Sequence, residues 1–282
     1  MRVAVLGSSG GMGRFFTRYF LSRGFSVSGS DTRKRAVANP RFSFAKSNAA
    51  AVKGADVVII ATPIDRTLET VREIAKALAP GACVVEITSV KGKALGALRG
   101  LVGAHQAKLL SIHPLFGPSL KPGAEMKICV VETESGSVRT ARRLFPQARL
   151  IPMKAKEHDR VMGVILSLTH LLNIAYAGVV SRYFDPAEFR KVQTPTSAVQ
   201  MTLAEGVLSQ SPSLYSYIQL ENEYSSESAR ALIEELSSLR ELVETRDRAG
   251  FEKRFSELSR KYAGDSKAAL GLVYQAFERS SR

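Results

Sequence analysis

Four histidines and two cysteines are the strongest candidates for chemistry in this chain of 282 residues. His113 stands out by its context. It follows an apolar run, Lys108–Ile112, and opens the stretch His113-Pro114-Leu115-Phe116-Gly117-Pro118. A histidine directly after a strand sits on the rim of a sheet, where a neutral imidazole accepts a proton from a substrate hydroxyl near neutral pH. A second polar strand end reads Glu86-Ile87-Thr88-Ser89-Val90-Lys91-Gly92. Ser89 is expected to hydrogen-bond the same hydroxyl or the histidine. Lys91 is expected to pair with an anionic substrate or to steady the loop. A purely structural His113 and a solvated Lys91 stand beside this reading; what lifts both residues is that they share a rim with the glycine-rich turn described next.

Val3-Ala4-Val5-Leu6 runs into Gly7-Ser8-Ser9-Gly10-Gly11-Met12-Gly13-Arg14. A strand, a glycine turn and a helix start in that order form a cradle for a pyrophosphate. Glycine lets the backbone approach closely, and the helix N-terminus offers free N–H groups and a partial positive charge. The candidates here are Gly7, Ser9, Gly10, Gly11, Met12 and Gly13. The second strand ends at Asp31, near the spacing expected of a carboxylate that accepts from an adenosine ribose diol. Asp31 favours NAD, while Arg33 leaves NADP possible, since an arginine there accommodates a 2′-phosphate. Thr62 and Pro63 end a further strand and are expected against the cofactor.

The elements that position these residues alternate. Val3–Leu6, Phe25–Gly29, Val57–Ala61, Cys83–Ile87, Lys108–Ile112 and Lys127–Val131 read as strands, continuous rather than alternating in hydrophobicity. Helical patterns lie at about residues 11–23, 64–78 and 136–145. This is the pattern of βαβ units around a parallel sheet covered on both faces. After Pro152 no strand is expected, and residues 154–181, 196–209, 213–245 and 248–279 read as helix. The fold class is α/β: a Rossmann-type doubly wound parallel sheet followed by an all-α dimerisation domain. The domains are expected at 1–152, dinucleotide-binding, and 153–282, helical.

Composition is that of a globular chain, 45% hydrophobic and 23% charged. Its net charge is +14, all of it in the first half: residues 1–152 carry 23 Lys and Arg against 9 Asp and Glu, while the remainder balance. The charges are scattered singly, which suits a solvated surface and anionic small molecules better than nucleic acid. Val161–Ser181 has no charged residue over a length that spans a bilayer. Its Gly163, Ser167, His170 and Asn173 recur at helical spacing, so we expect a helix buried on all sides at a subunit interface, with this polar stripe facing a site, and no membrane span. His170 there is either a satisfied core residue or substrate-facing. His105 is given no role, and His158 in Glu157-His158-Asp159 is expected to cap or to pair at the surface. Dispersed histidines and two cysteines in apolar runs predict no metal cluster and no disulfide framework, and fit a reducing cytoplasm.

With these residues in view, the sequence resembles the prephenate/arogenate dehydrogenases of tyrosine biosynthesis. The resemblance runs through Gly10-Gly11-Met12-Gly13-Arg14, Ala61-Thr62-Pro63-Ile64, Thr88-Ser89-Val90-Lys91, the His113 stretch, Glu157-His158-Asp159, Leu168-Thr169-His170 and Gln210-Ser211-Pro212-Ser213-Leu214-Tyr215. It implies oxidative decarboxylation of prephenate or arogenate with hydride transfer to NAD(P) and a homodimer; no nucleic-acid partner is expected. It also implies that His113 is the catalytic histidine, Ser89 its neighbour and His170 a substrate-side residue. One departure is visible. Where the family carries a carboxylate-binding arginine, this chain reads Thr194-Pro195-Thr196-Ser197-Ala198, and Arg182, Arg190, Lys191 or Gln200 is expected to substitute. Two other readings compete: another two-domain NAD(P)-dependent oxidoreductase of β-hydroxyacid dehydrogenase or imine reductase type, and a non-catalytic nucleic-acid-binding or regulatory Rossmann protein.

Overall fold

Short β-branched runs and amphipathic helices alternate from the N-terminus, and the computed structural model, which describes residues 1–92, 94–264 and 266–280, shows how they assemble. The chain divides into two compact units, Met1–Met162 and Gly163–Arg282.

The first unit is built on one eight-stranded sheet. Its elements are β1 (Arg2–Leu6), α1 (Gly11–Ser22), β2 (Ser26–Ser30), β3 (Phe42–Phe44), α2 (Asn48–Val52), β4 (Val57–Ile60), α3 (Thr67–Ile74), β5 (Cys83–Glu86), α4 (Ala94–Ala104), β6 (Lys108–Pro114), β7 (Lys127–Val131), α5 (Ser137–Leu144), β8 (Arg149–Met153) and α6 (Ala155–Met162). The strand order is β3-β2-β1-β4-β5-β6-β7-β8. All neighbours are parallel except β6 and β7, which run antiparallel with His113 opposite Cys129. The chain leaves β1 toward β2 on one side and returns to β4 on the other, so a crevice opens at the carboxyl ends of β1 and β4. Two apolar clusters cover the two faces, one around Val3, Val5, Phe16, Phe20, Ile112 and Phe145, the other around Ala4, Leu6, Val58, Ile60, Ile74 and Val84. Burial on both faces is why Val3–Leu6 of β1 and all of β4 are apolar at every position. In α1, Phe16, Thr17, Phe20 and Leu21 recur at the spacing that turns one stripe to the sheet.

The second unit is helical, and among the described residues no strand follows Met153. A π-helical turn, Gly163–Leu168, leads into α7 (Thr169–Val180), followed by α8 (Pro186–Lys191), α9 (Pro195–Leu208), α10 (Pro212–Glu221), α11 (Ser225–Glu244), α12 (Arg248–Lys261) and α13 (Ser266–Ser280). Prolines stand in the first turns of α8, α9 and α10, where the missing N–H costs nothing. The helix expected over 213–245 is interrupted between Glu221 and Ser225, and that expected over 248–279 between Lys261 and Ser266.

Within the single chain the helix expected to be buried on all sides at a subunit interface is buried on one side only. Only 17% of the apolar window in Ala155–Val180 is buried, and Val164, Ile165, Leu172, Ile174 and Val179 are exposed. By length and composition this helix could cross a membrane. Its buried side is the small polar one. A Cβ on Gly163 would meet Tyr224 at 2.8 Å, and Ser167 Oγ lies 2.7 Å from Ser225 Oγ. The stripe at Gly163 and Ser167 therefore packs against α11 and does not face a site.

Candidate active site

The glycine turn is shaped by two steric demands. Gly7 has φ +80°, and a Cβ there would overlap the Ala61 carbonyl oxygen. A Cβ on Gly13 would overlap the Gly7 carbonyl oxygen, so glycine alone lets α1 start this close to the end of β1. Gly10 caps the helix without a side-chain bond, and no acid stands in the first turn. The amides of that turn, around Gly11 and Met12, thus suit an anion. Asp31 accepts from the Ser9 amide at 2.9 Å and the Arg33 amide at 3.0 Å, while Ser9 Oγ donates to the Arg33 carbonyl at 2.6 Å. Thr32 Oγ1 also donates to Asp31 Oδ1 at 3.3 Å; a carboxylate retains acceptor capacity beyond three bonds, so Asp31 fits a ribose diol. Arg33 is exposed beside it. Thr62, half-buried, has its Oγ1 3.2 Å from Thr70 Oγ1, and exposed Pro63 precedes a short 3₁₀ turn, Ile64–Arg66. These groups line the carboxyl ends of β1, β2 and β4, and they fit a dinucleotide.

The second cluster joins the ends of β5 and β6 to α6. Glu86, at the end of β5, is fully buried. Its Oε1 pairs with Lys91 Nζ at 2.7 Å and accepts from Ser111 Oγ; its Oε2 accepts from the Thr88 amide at 2.9 Å and Thr88 Oγ1 at 2.6 Å. Lys91 also donates to the Ile112 carbonyl at 2.8 Å, which pins the strand just before His113. From His113 a chain of side chains continues inward. His113 Nδ1 lies 3.0 Å from His158 Nε2, and His158 Nδ1 lies 2.8 Å from Asp159 Oδ1. Asp159 in turn accepts from the amides of Lys91 at 2.9 Å and Gly92 at 2.7 Å.

The protonation states follow from this order. Burial works against the Asp159 charge, but the His158 bond and the two amides outweigh it and hold the carboxyl below its usual range. Burial, then the Lys91 ammonium and His158, push the His113 imidazole well below its ordinary value. Burial also lowers His158, against the pull of Asp159. Near neutral pH the carboxylate is ionised and both imidazoles are neutral. An ionised carboxylate only accepts, so His158 carries its proton on Nδ1 and presents Nε2 as acceptor. His113 must then carry its proton on Nδ1, which leaves Nε2 as a base.

Comparison with known proteins decides the family. Residues 18–127 match the model for the prephenate dehydrogenase nucleotide-binding domain, and residues 154–257 match the prephenate dehydrogenase dimerization domain. The chain belongs to the prephenate/arogenate dehydrogenase family. It is 26% identical over 278 residues to a probable arogenate/prephenate dehydrogenase of Methanocaldococcus jannaschii, covering 95% of this chain and 62% of that protein. It is 29% identical over 267 residues to the 4-amino-4-deoxyprephenate dehydrogenase of Streptomyces pristinaespiralis, covering 91% and 90%. Its fold matches the prephenate dehydrogenase of A. aeolicus, solved with hydroxyphenyl propionate and NAD+, with TM-score 0.78 at 20% identity over 94% of this chain and 98% of that one.

Of the two roles expected for Lys91, its placement fits steadying the loop: its side chain is fully buried and paired with Glu86, whose carboxylate inside the sheet requires a counter-charge. The expectation for His158 changes. His158 is neither a surface residue nor a simple cap. It is fully buried and links His113 to Asp159. Sequence reasoning missed the roles of Glu86, His158 and Asp159; the visible signal was a glutamate ending an apolar strand. Ser89 is half-buried in the turn between Glu86 and Lys91, and the partner of His113 Nδ1 is His158, not Ser89.

In the second unit, His170 stacks edge-on against Tyr215 with ring centroids 4.4 Å apart. Its Nδ1 is buried without a hydrogen-bond partner among the described residues, and burial lowers its pKa. Gln200 donates to Asn173 Oδ1 at 3.0 Å. Ala198 is buried in α9, and Ser197 closes a capping box with Thr194. Arg190 is paired with Glu205 at 2.7 Å, across from α8 to α9, and Lys191 with Glu188 at 2.5 Å within α8.

Proposed function

We propose that this chain oxidatively decarboxylates prephenate or arogenate and delivers the hydride to a nicotinamide dinucleotide, NAD in preference to NADP. The observation that carries this reading is His113, a buried neutral imidazole at the end of a central strand whose Nε2 is left as a base. When bound, the nicotinamide accepts the hydride from ring carbon 4. His113 Nε2 accepts the C4 hydroxyl proton as the C4–H bond breaks, and Ser89 hydrogen-bonds the same hydroxyl. The bond from carbon 1 to its carboxylate then breaks, its electron pair completes the aromatic ring, carbon dioxide leaves, and the proton returns to the phenol oxygen. Aromatisation drives the reaction, so the protein mainly positions the ring and polarises the hydroxyl. His170 and Gln200 remain candidates for substrate contacts.

The glycine turn Gly7–Gly13 holds the pyrophosphate in this reading. Asp31, tied to the turn by the Ser9 amide, opposes a 2′-phosphate. The helical unit pairs with a second copy, which would cover Val164, Ile165, Leu172, Ile174 and Val179, and light scattering should report a dimer. Burial pushes the thiols of Cys83 and Cys129 up to about 12 and about 11, so neither is a nucleophile, and two free thiols fit a reducing cytoplasm.

The test is reduction of nicotinamide by the purified chain, offered prephenate, arogenate and 4-amino-4-deoxyprephenate, each with NAD and NADP. Turnover of prephenate or arogenate is expected, with NAD preferred, and His113→Asn should lower kcat by roughly 10²- to 10⁴-fold. A dinucleotide that binds without turnover of any substrate would overturn the reading. Preference for NADP would overturn the role given to Asp31.

A further inference from the structure

We propose that His113 and His158 form a two-step proton relay: the proton taken from the substrate is passed on and held at His158 beside Asp159 while the hydride leaves. This rests on the reading of His113 as the base.

The geometry allows one sequence of transfers. The substrate hydroxyl gives its proton to His113 Nε2, and the Nδ1 proton of His113 crosses 3.0 Å to His158 Nε2. One N–H bond forms and one breaks at His113, so His113 ends neutral with its proton on Nε2. His158 ends as the imidazolium, with its Nδ1–H still 2.8 Å from the Asp159 carboxylate. When the phenolate forms, both transfers reverse, and the proton is borrowed and returned with no net change.

The surroundings favour His158 as the resting place of the charge. The groups acting on His113 are the Lys91 ammonium and His158, both of which oppose a positive charge there. Those acting on His158 are Asp159 and Glu86, which favour a cation, and Lys91, which opposes it. Asp159 is itself held ionised by the Lys91 and Gly92 amides. The relay thus moves the proton away from the buried ammonium and toward a carboxylate. It also explains why a carboxylate is fixed two side chains away from the reacting atom. His158 does not touch substrate in this scheme; it is a positioning and proton-holding residue that acts through His113.

The deciding variant is His158→Gln. Its side-chain carbonyl still accepts from His113 Nδ1–H, preserving tautomer and orientation, but it cannot take the proton. Single-turnover hydride transfer in mixtures of light and heavy water should show a curved, two-proton dependence in the wild type and a linear one in H158Q. The H158Q rate should fall by about 10²-fold, with KM unchanged. Wild-type rates in H158Q, or a linear dependence in the wild type, would overturn the relay. A second measurement needs no turnover and no variant fold: ¹⁵N spectra of the histidine-labelled wild-type chain, titrated with acid. Protonation of His158 before His113 supports the relay, and the reverse order overturns it. If the wild type turns over no substrate, the reading of the function fails, while these spectra still judge the relay.

Discussion

The polar cluster around His113 and the polar stripe around His170 are built on opposite terms. In the first, Glu86, Lys91, His113, His158 and Asp159 are all buried and bonded to one another or to nearby backbone, from Thr88 to Ile112. In the second, Ser167 and Asn173 are bonded to neighbouring helices, but the Nδ1 of His170 is buried without a partner among the described residues, and large apolar side chains on the same helix face outward. A satisfied buried network fixes one geometry and one set of tautomers before any ligand arrives. A stripe with an orphaned nitrogen and an uncovered apolar face is incomplete as a single chain. The first region is preorganised chemistry; the second leaves a buried nitrogen unpartnered among the described residues and an apolar face exposed.

The hardest way to break this comparison is to remove the buried cation. Lys91→Met leaves Glu86 charged inside the sheet with only hydrogen bonds to Thr88 and Ser111, and truncating one partner of a buried pair costs about 3–5 kcal/mol. Denaturant unfolding should show that loss. Adding Glu86→Gln should recover part of it, because the uncompensated charge is gone. An effect as small as that of a surface lysine would mean that the network is not the anchor it is taken to be here.

How far this contrast was legible in the sequence depends on the distance over which each feature is encoded. Val3–Leu6 and Val57–Ala61 are readable as strands because strands covered on both faces are apolar at every position. β3 is three residues long, and β8 contains Pro152, so neither carries a strand pattern strong enough to see, although an edge strand tolerates the proline. The helix α4 is obscured by Gly96, Gly100 and Gly103, which depress local helix propensity. His113 is readable from its place after a strand. His158 is not, because its partner lies 45 residues away and only the packing of α6 against the sheet unites them. Lys91 misleads for the same reason: charge in a loop looks solvated until the carboxylate beneath it is seen.

A gentler probe is pH. Native His113 and His158 titrate below the value of about 6.5 that they take in the unfolded chain. Below that value the unfolded state binds more protons, so stability is full above it and falls as pH drops toward the native values. Each histidine adds a slope of up to about 1.4 kcal/mol per pH unit in that window. Thermal melts should therefore drop steadily on the acid side of neutrality, and His113→Asn should flatten the decline. A wild-type melt independent of pH there would mean that the two imidazoles are not held neutral by burial.

The smallest expected effect sharpens the other half of the comparison. Arg190 pairs with Glu205 at 2.7 Å, with more than half of its side chain exposed. An exposed pair of this kind contributes about 0–1 kcal/mol, so Arg190→Ala should barely move the unfolding curve. Its use lies in what it does to substrate. The position at which the family resemblance implies an arginine is Ala198, buried in α9, and no charge can be placed there without displacing what packs on it. If Arg190 supplies the missing cation, it must leave Glu205 to do so, and Arg190→Ala would raise KM strongly while leaving stability alone, since a bidentate arginine–carboxylate bond is among the stronger polar contacts. If KM is unchanged, Arg190 is a surface partner of Glu205 and nothing more, and the same measurement passes to Arg182 and Lys191. Because stability and KM respond separately in this variant, it distinguishes an ion pair that only joins α8 to α9 from an arginine that lends its charge to a ligand.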